Sequence, residues 1–413
     1  MKALKKYRWP LTGALLGVLV FLAVYGVRVL DPTSVDWILN SLSPDPIQHY
    51  LGWELFRRSP VHLPYIGANY NAVYPFRTSV LFTDSLPLAA LFFKLLGGIL
   101  PMRFQYFGWW GLLCYALQGG LAQAVIARIA GVQPTFGRDD KSKAAISMSP
   151  GQTAKLWGSV LGAGVLVLFP ALTIRMFAHT ALAANWLVLL ALYLWLRSDE
   201  LMPTTRRACL IWGGMGLLCA GIHLYYLPMV GLVLVGYAVR RALQKRGPAA
   251  VLAPIAAFCA AALAELVLLG AFAVNFAGYS NGYLSGADYF GLFVPWLAQS
   301  WEQNVYAGVG TSLAVVLAVF GIVCNARKAE KFFAAHRDWL IAGAVVLVLD
   351  LIAAGGNAIT VNGKTLFTVP IPQFLMNFWA MFSSCARLAW LAGMLLAAVG
   401  CGLVLRFWDN GVA

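Results

Sequence analysis

The chain has 413 residues, of which 61% are hydrophobic and only 11% charged, with a mean hydropathy of +0.74. A soluble domain carries roughly 25% charged residues, and a soluble fold of this length could not hide so much apolar surface, so the bilayer is the expected solvent. The net charge of +14 would suit nucleic acid, but the Lys and Arg residues lie in short loops between long apolar runs, the pattern of cytoplasmic membrane loops, so no nucleic acid is expected.

In chain order, a basic start (Met1 to Arg8) precedes an apolar run, Leu11 to Val29, about one span long. It lacks the short core and cleavage signal of a secretory leader and predicts an uncleaved first helix with a cytoplasmic N-terminus. Further spans are expected over 104–128, 156–174, 179–196, 208–224, 226–243, 250–274, 305–324, 339–354 and 386–405. With 9–29 this gives about ten, in one all-α transmembrane domain covering 1–413. The apolar run Leu86 to Leu100 is short, carries Lys94 and ends in Gly97-Gly98, which predicts a helix lying at the interface. Counted this way, about 21 of the 30 basic residues fall in cytoplasmic loops. The longest external segment is then 30–103, with interfacial helices near 46–58 and 84–99.

Within that segment Asp45-Pro46 reads as a helix start, with Asp at the N-cap and Pro at N1. Ile47, Tyr50, Leu51 and Leu55 share one face of the helix; Asp45, Gln48, His49 and Gly52 share another. A carboxylate and an imidazole at the membrane boundary could perform general acid–base work; a plain N-cap and an interfacial polar residue are the competing reading. Asp84 likewise reads as the cap of the second interfacial helix, or, beside Asp45, as an oxygen ligand for a cation or a contact to sugar hydroxyls. Arg175 and His179 bracket an external turn, against the charge bias, where an arginine could grip a phosphate or snorkel to lipid headgroups. The same argument applies to Arg387, whereas Asp350 and Glu265 fall inside spans, Asp350 reading as a helix-pairing group.

Other patterns are weak. The seven cysteines occur singly, without CxxC or metal-type Cys/His spacing, so neither a zinc site nor a disulfide framework is indicated. Gly363-Lys364-Thr365 ends like a phosphate loop, but Ala358 stands where its first glycine is needed. Gly278-Tyr279-Ser280-Asn281-Gly282 matches a nucleophile elbow without the strand-to-helix setting.

The run Asp45 to Trp53, then Thr83-Asp84-Ser85-Leu86-Pro87-Leu88, Phe104 to Gly108, Arg175 to Leu182 and the loop Asp288 to Gly310 resemble a bacterial family of predicted membrane glycosyltransferases. More broadly, the layout is similar to the GT-C superfamily. There an early acidic residue of the first external loop, matched here by Asp45, is the catalytic or metal-binding carboxylate. Some relatives carry a Lys-Pro-Pro-Leu or His-Pro-Pro-Leu motif where this chain has Asp84-Ser85-Leu86-Pro87-Leu88, so the second-position Lys or His is missing. The resemblance implies a sugar donor on a polyprenyl phosphate and a lipid, glycan or protein acceptor, in a bacterial cytoplasmic membrane with the active site outside. Asp45 would be the catalytic carboxylate, with His49 beside it; Arg175, Arg387 and His179 would bind the donor phosphate. Asp84 and Gln48 would contact substrate or metal, Mg²⁺ or Mn²⁺ on Asp45 and Asp84 being the implied ion. A transporter or flippase of lipid-linked sugars and a non-catalytic envelope scaffold are the competing readings; the chain shows no repeat of the transporter kind.

Overall fold

A computed structural model describes residues 2–132, 150–274, 284–295, 301–303 and 305–408. In chain order the helices are α1 (Lys2–Tyr25), the short α2 (Asp36–Leu39), α3 (Pro44–Arg58), α4 (Pro87–Leu95), α5 (Phe107–Ile129), α6 (Pro150–Val167), α7 (Pro170–Arg175), α8 (Trp186–Leu196), the short α9 (Ser198–Leu201) and α10 (Thr205–Ile222). They continue with α11 (Tyr226–Leu243), α12 (Pro248–Leu268), α13 (Val309–Cys324), α14 (Ala326–Ala335), α15 (Arg337–Gly355), α16 (Gln373–Ala380) and α17 (Ala389–Phe407). The chain is therefore mostly helical. Basic residues Arg138, Lys141 and Lys143, the Gly278–Gly282 stretch, and parts of the loops that hold them lie outside the described residues.

Among the described residues, five helices are long and apolar enough to cross a membrane, or six if α13 and α14, bent by 104°, are taken as one span. These are α5, α11, α12, α15 and the stretch Cys385–Phe407. A helix accompanies every one of the ten segments expected to span, but others are shorter or more polar: the apolar part of α1 is Pro10–Tyr25, and Pro170 separates α6 from α7. The architecture common to both counts is a multi-pass helical membrane bundle.

Glycines set its closest contacts. A Cβ on Gly17 would stand 1.9 Å from the Tyr115 carbonyl oxygen, and one on Gly13 would stand 2.4 Å from that of Gly119. The pair Gly13/Gly17, one turn apart, thus lets α1 lie backbone to backbone on α5, the small-residue packing that substitutes for hydrophobic driving force in lipid. Gln123 Oε1 fastens the seam by accepting from the Gly13 N–H at 2.8 Å and the Thr12 hydroxyl at 3.1 Å.

The all-α class fits, with one small hairpin added to it: β1 (Ala358–Val361) pairs antiparallel with β2 (Lys364–Thr368). Asn362 and Gly363 both have positive φ, the demand of a tight hairpin turn. Asp288 accepts from both of their N–H groups, at 3.0 and 2.6 Å. The Gly363-Lys364 sequence is therefore turn chemistry.

The bundle has two chemically different ends. At one, the closing ends of α5, α8, α11 and α17 and the start of α15 are tied by ions: Arg240 to Asp199 (2.8 Å) and Asp338 (2.9 Å), Arg241 to Asp199 (2.9 Å) and Arg128 to Glu200 (2.9 Å), with Arg406 donating to the Ile129 carbonyl. The other end gathers the remaining polar residues discussed below. Asp350, buried in α15, accepts from the Ala392 N–H at 2.9 Å and so joins α15 to α17.

Gly17→Leu should force α1 off α5 and cost about 1–3 kcal/mol. A thermal-unfolding midpoint in detergent within error of wild type would show that the seam carries no weight.

Candidate functional site

The polar end is assembled from segments far apart in sequence. In α3, Ser43 is the N-cap, accepting from the Asp45 N–H, and Pro44 takes the first helical position. Asp45 is thus in the first turn rather than at the cap, and its carboxylate is available to other partners. The buried face of α3 comprises Pro46, His49, Tyr50, Trp53 and Phe56, while Leu51 and Leu55 are exposed. The face carrying His49 is therefore the packed one, because Trp53 docks on the Phe104–Tyr106 aromatic cluster and donates to the Phe104 carbonyl at 3.0 Å.

Gly52 brings the next segment in. A Cβ there would meet Thr83 Cβ at 2.5 Å and Ser85 Oγ at 2.6 Å, so only glycine lets the 83–85 loop lie on α3. Ser85 Oγ then donates to the His49 carbonyl at 2.7 Å, and the Tyr106 hydroxyl donates to the Ser85 carbonyl. Asp84 and Leu86 both take left-handed backbone conformations, a costly choice for residues with side chains. The outcome corrects the expected cap: α4 starts at Pro87 behind Leu86, with no side-chain cap, and Asp84 turns toward the histidines.

Asp84 Oδ2 lies 3.7 Å from His49 Nε2 and Asp84 Oδ1 lies 3.2 Å from His223 Nε2. His223 sits in the turn between α10 and α11, where its Nδ1 accepts from the Tyr225 N–H at 3.2 Å. That bond puts the imidazole proton on Nε2, facing Asp84. Burial alone would raise the Asp84 pKa; His223 and His49 outweigh it and hold the carboxyl well below its usual range.

His179 approaches from the third side. The turn after α7 is closed by the His179 N–H on the Arg175 carbonyl (2.8 Å), and His179 Nε2 stands 3.3 Å from Asp45 Oδ2. Its ring is 6.2 Å from that of His49. Burial, then the positive field of Arg387, pulls the His179 pKa down to about 4.

Arg175 and Arg387 meet on a residue that no local pattern announces. Both are buried, and both reach Glu302: Arg175 Nη1 to Oε1 at 3.3 Å, Arg387 Nη2 and Nε to Oε2 at 2.7 and 2.8 Å. Their guanidinium planes also lie over Trp390 (5.8 Å) and Tyr225 (5.0 Å). The two arginines hold the Glu302 carboxyl below its ordinary range despite burial. Asp45 acts on the charge of Arg175, and Arg387 on His179, so the arginine pair and the His/Asp cluster share one electrostatic neighbourhood.

The residues proposed from sequence thus divide. Asp45, His49, Asp84, Arg175, His179 and Arg387 converge; Gln48 is exposed and joins none of these contacts. His223 and Glu302 are additions, one from a turn whose only signal was a single histidine, the other from a loop without a motif. An Mg²⁺ or Mn²⁺ ion on Asp45 and Asp84 is an expectation of the resemblance alone. The set whose ligand atoms lie within 4.8 Å of one another is His49, Asp84 and His179, which offers two nitrogens and one carboxylate where Mg²⁺ takes oxygens.

A multi-pass helical bundle with one ionic end and one His/Asp/Arg end is the class of protein that these features define. Residues 14–413 match a family described as a domain of unknown function, DUF6311, and the chain belongs to that family. No curated protein and no solved structure matches it.

The depressed His179 pKa predicts an acid-labile fold. The unfolded imidazole titrates near 6.5 and the folded one at about 4, so between these values the unfolded chain binds the extra proton. Stability is then complete above that window and declines as pH falls through it, by up to roughly 3 kcal/mol; Asp84 adds a loss in the same sense at still lower pH. Thermal midpoints between pH 7.5 and 4.5 should drop for wild type and drop less for His179→Gln. Equal slopes for the two proteins would refute the assignment.

Proposed function

We propose that this protein is a membrane glycosyltransferase that moves a sugar from a polyprenyl-phosphate donor to an acceptor hydroxyl outside the cytoplasm. The observation carrying the reading is the pair of buried arginines, Arg175 and Arg387, closed on one carboxylate beside Asp45 and three histidines. Two guanidiniums in that position form a fork suited to a phosphate, and the acceptor atoms of Glu302 occupy the place that phosphate oxygens would take.

The chemistry follows from the placement. The acceptor oxygen attacks the anomeric carbon as its proton passes to the Asp45 carboxylate. The bond from that carbon to the phosphate oxygen breaks on the opposite face, and its electron pair leaves with the lipid phosphate. Arg175 and Arg387 neutralise the charge that develops there. One displacement inverts the anomeric configuration. His179, in contact with Asp45, fixes the direction of that carboxylate, and His49 lines the same cluster.

Orientation comes from charge. The ionic end, with Arg128, Arg197, Arg240, Arg241 and Arg406, is read as the cytoplasmic side under the positive-inside rule, which supports an external position for Asp45 in a bacterial cytoplasmic membrane. The acceptor class, lipid, glycan or protein, is open to the loops that surround the site.

The test is reconstitution in liposomes with a radiolabelled polyprenyl-phosphate sugar and extracted envelope acceptors. New labelled product should form, Asp45→Asn should lower its rate about 10²–10⁴-fold, and Arg175→Lys should weaken donor use by losing the planar fork. Movement of labelled lipid across the bilayer without product would make the protein a flippase; undiminished product from Asp45→Asn would remove that residue from the reaction.

A further inference from the structure

Three of the chain's five histidines converge at the polar end. His49 is 1% exposed, and its Nδ1 has no hydrogen-bond partner among the described residues; the same is true of His179 Nδ1. Buried polar atoms are ordinarily satisfied. Two unpartnered imidazole nitrogens in one cluster, beside a carboxylate with one oxygen held by His223, call for an electrophile.

We propose that His49, His179 and Asp84 form a binding site for a nitrogen-preferring divalent metal, Zn²⁺ by its chemistry, with the remaining coordination open toward the arginine pair. The donor set is two imidazoles and one carboxylate, the three-ligand composition of zinc centres that keep a free position. Mg²⁺ favours six oxygens in octahedral array, and this cluster cannot supply them. The ligand atoms lie within 4.8 Å of one another. Zinc ligands at about 2.0–2.1 Å from the ion stand roughly 3.3 Å apart, so the three side chains close inward on binding.

The surroundings have the form of a support layer. His223 is locked by the Tyr225 N–H and donates to Asp84 Oδ1, leaving Oδ2 directed at His49. The Asp45 carboxylate faces His179 Nε2 at 3.3 Å; accepting the proton there leaves the lone pair on Nδ1. Carboxylate-to-imidazole contacts of this kind set the tautomer and angle of ligating rings. Gly52 completes the arrangement by admitting the Asp84 loop against α3.

The experiment uses the full chain in detergent, stripped with EDTA, desalted, and titrated with ZnCl₂ by calorimetry, with metal content measured by mass spectrometry. About one zinc per chain should bind, and Mg²⁺ in large excess should not displace it. His179→Ala and Asp84→Asn should each weaken binding at least about 10–100-fold. His62→Ala should leave it unchanged, since His62 stacks on Tyr70 (4.5 Å) outside the cluster. Co²⁺ substitution should give the visible absorption of a low-coordinate site. His49 is buried, so the more accessible His179 decides the case should His49→Ala fail to fold. Stripped wild type that takes up under about a tenth of an equivalent, or a His179→Ala, Asp84→Asn double variant that binds like wild type, overturns the proposal. Zinc bound without any transferred sugar would sink the transferase reading and leave this one standing.

Discussion

Two guanidiniums held side by side within an apolar bundle must be compensated, and at the polar end that duty falls to Glu302. Removing ions from water costs several kcal/mol each, recovered only when geometry and hydrogen bonding are good. Here the compensation has three parts: a shared carboxylate, aromatic faces from Trp390 and Tyr225, and the anionic Asp/His cluster beside them. The local folds at this end serve the same balance. The turn after α7, the 385–388 turn and the 301–303 turn meet because their charges do.

How much of this was legible in the sequence depends on range. Arg175, His179 and Arg387 could be found because each borders an apolar run, where an ionisable group is conspicuous, and Asp45 because it precedes Pro46 at a helix start. Helix boundaries were less certain. Ser43 rather than Asp45 caps α3, since two adjacent residues competent to cap can be separated only by the backbone that follows. Which face of α3 is buried was likewise undecidable from its own residues. The aromatic cluster of Phe104 and Tyr106 settles that question, and it lies some 50 positions away.

Tertiary pairing was the least visible. Histidines at 49, 179 and 223 have none of the short spacing that marks a local metal motif, so counting Cys and His in sequence gave no sign of the cluster. Glu302 belongs to a loop with no periodicity. The span count also differed, ten expected against five or six by length and hydropathy among the described residues. One apolar run read as a single span, 156–174, is divided by Pro170 between α6 and α7.

The opposite end of the bundle has a mechanical meaning. Asp199 is shared by two arginines, one of which also grips Asp338, whose carboxylate accepts from Gln244. Helices riveted there in this mutual fashion resist sliding past one another.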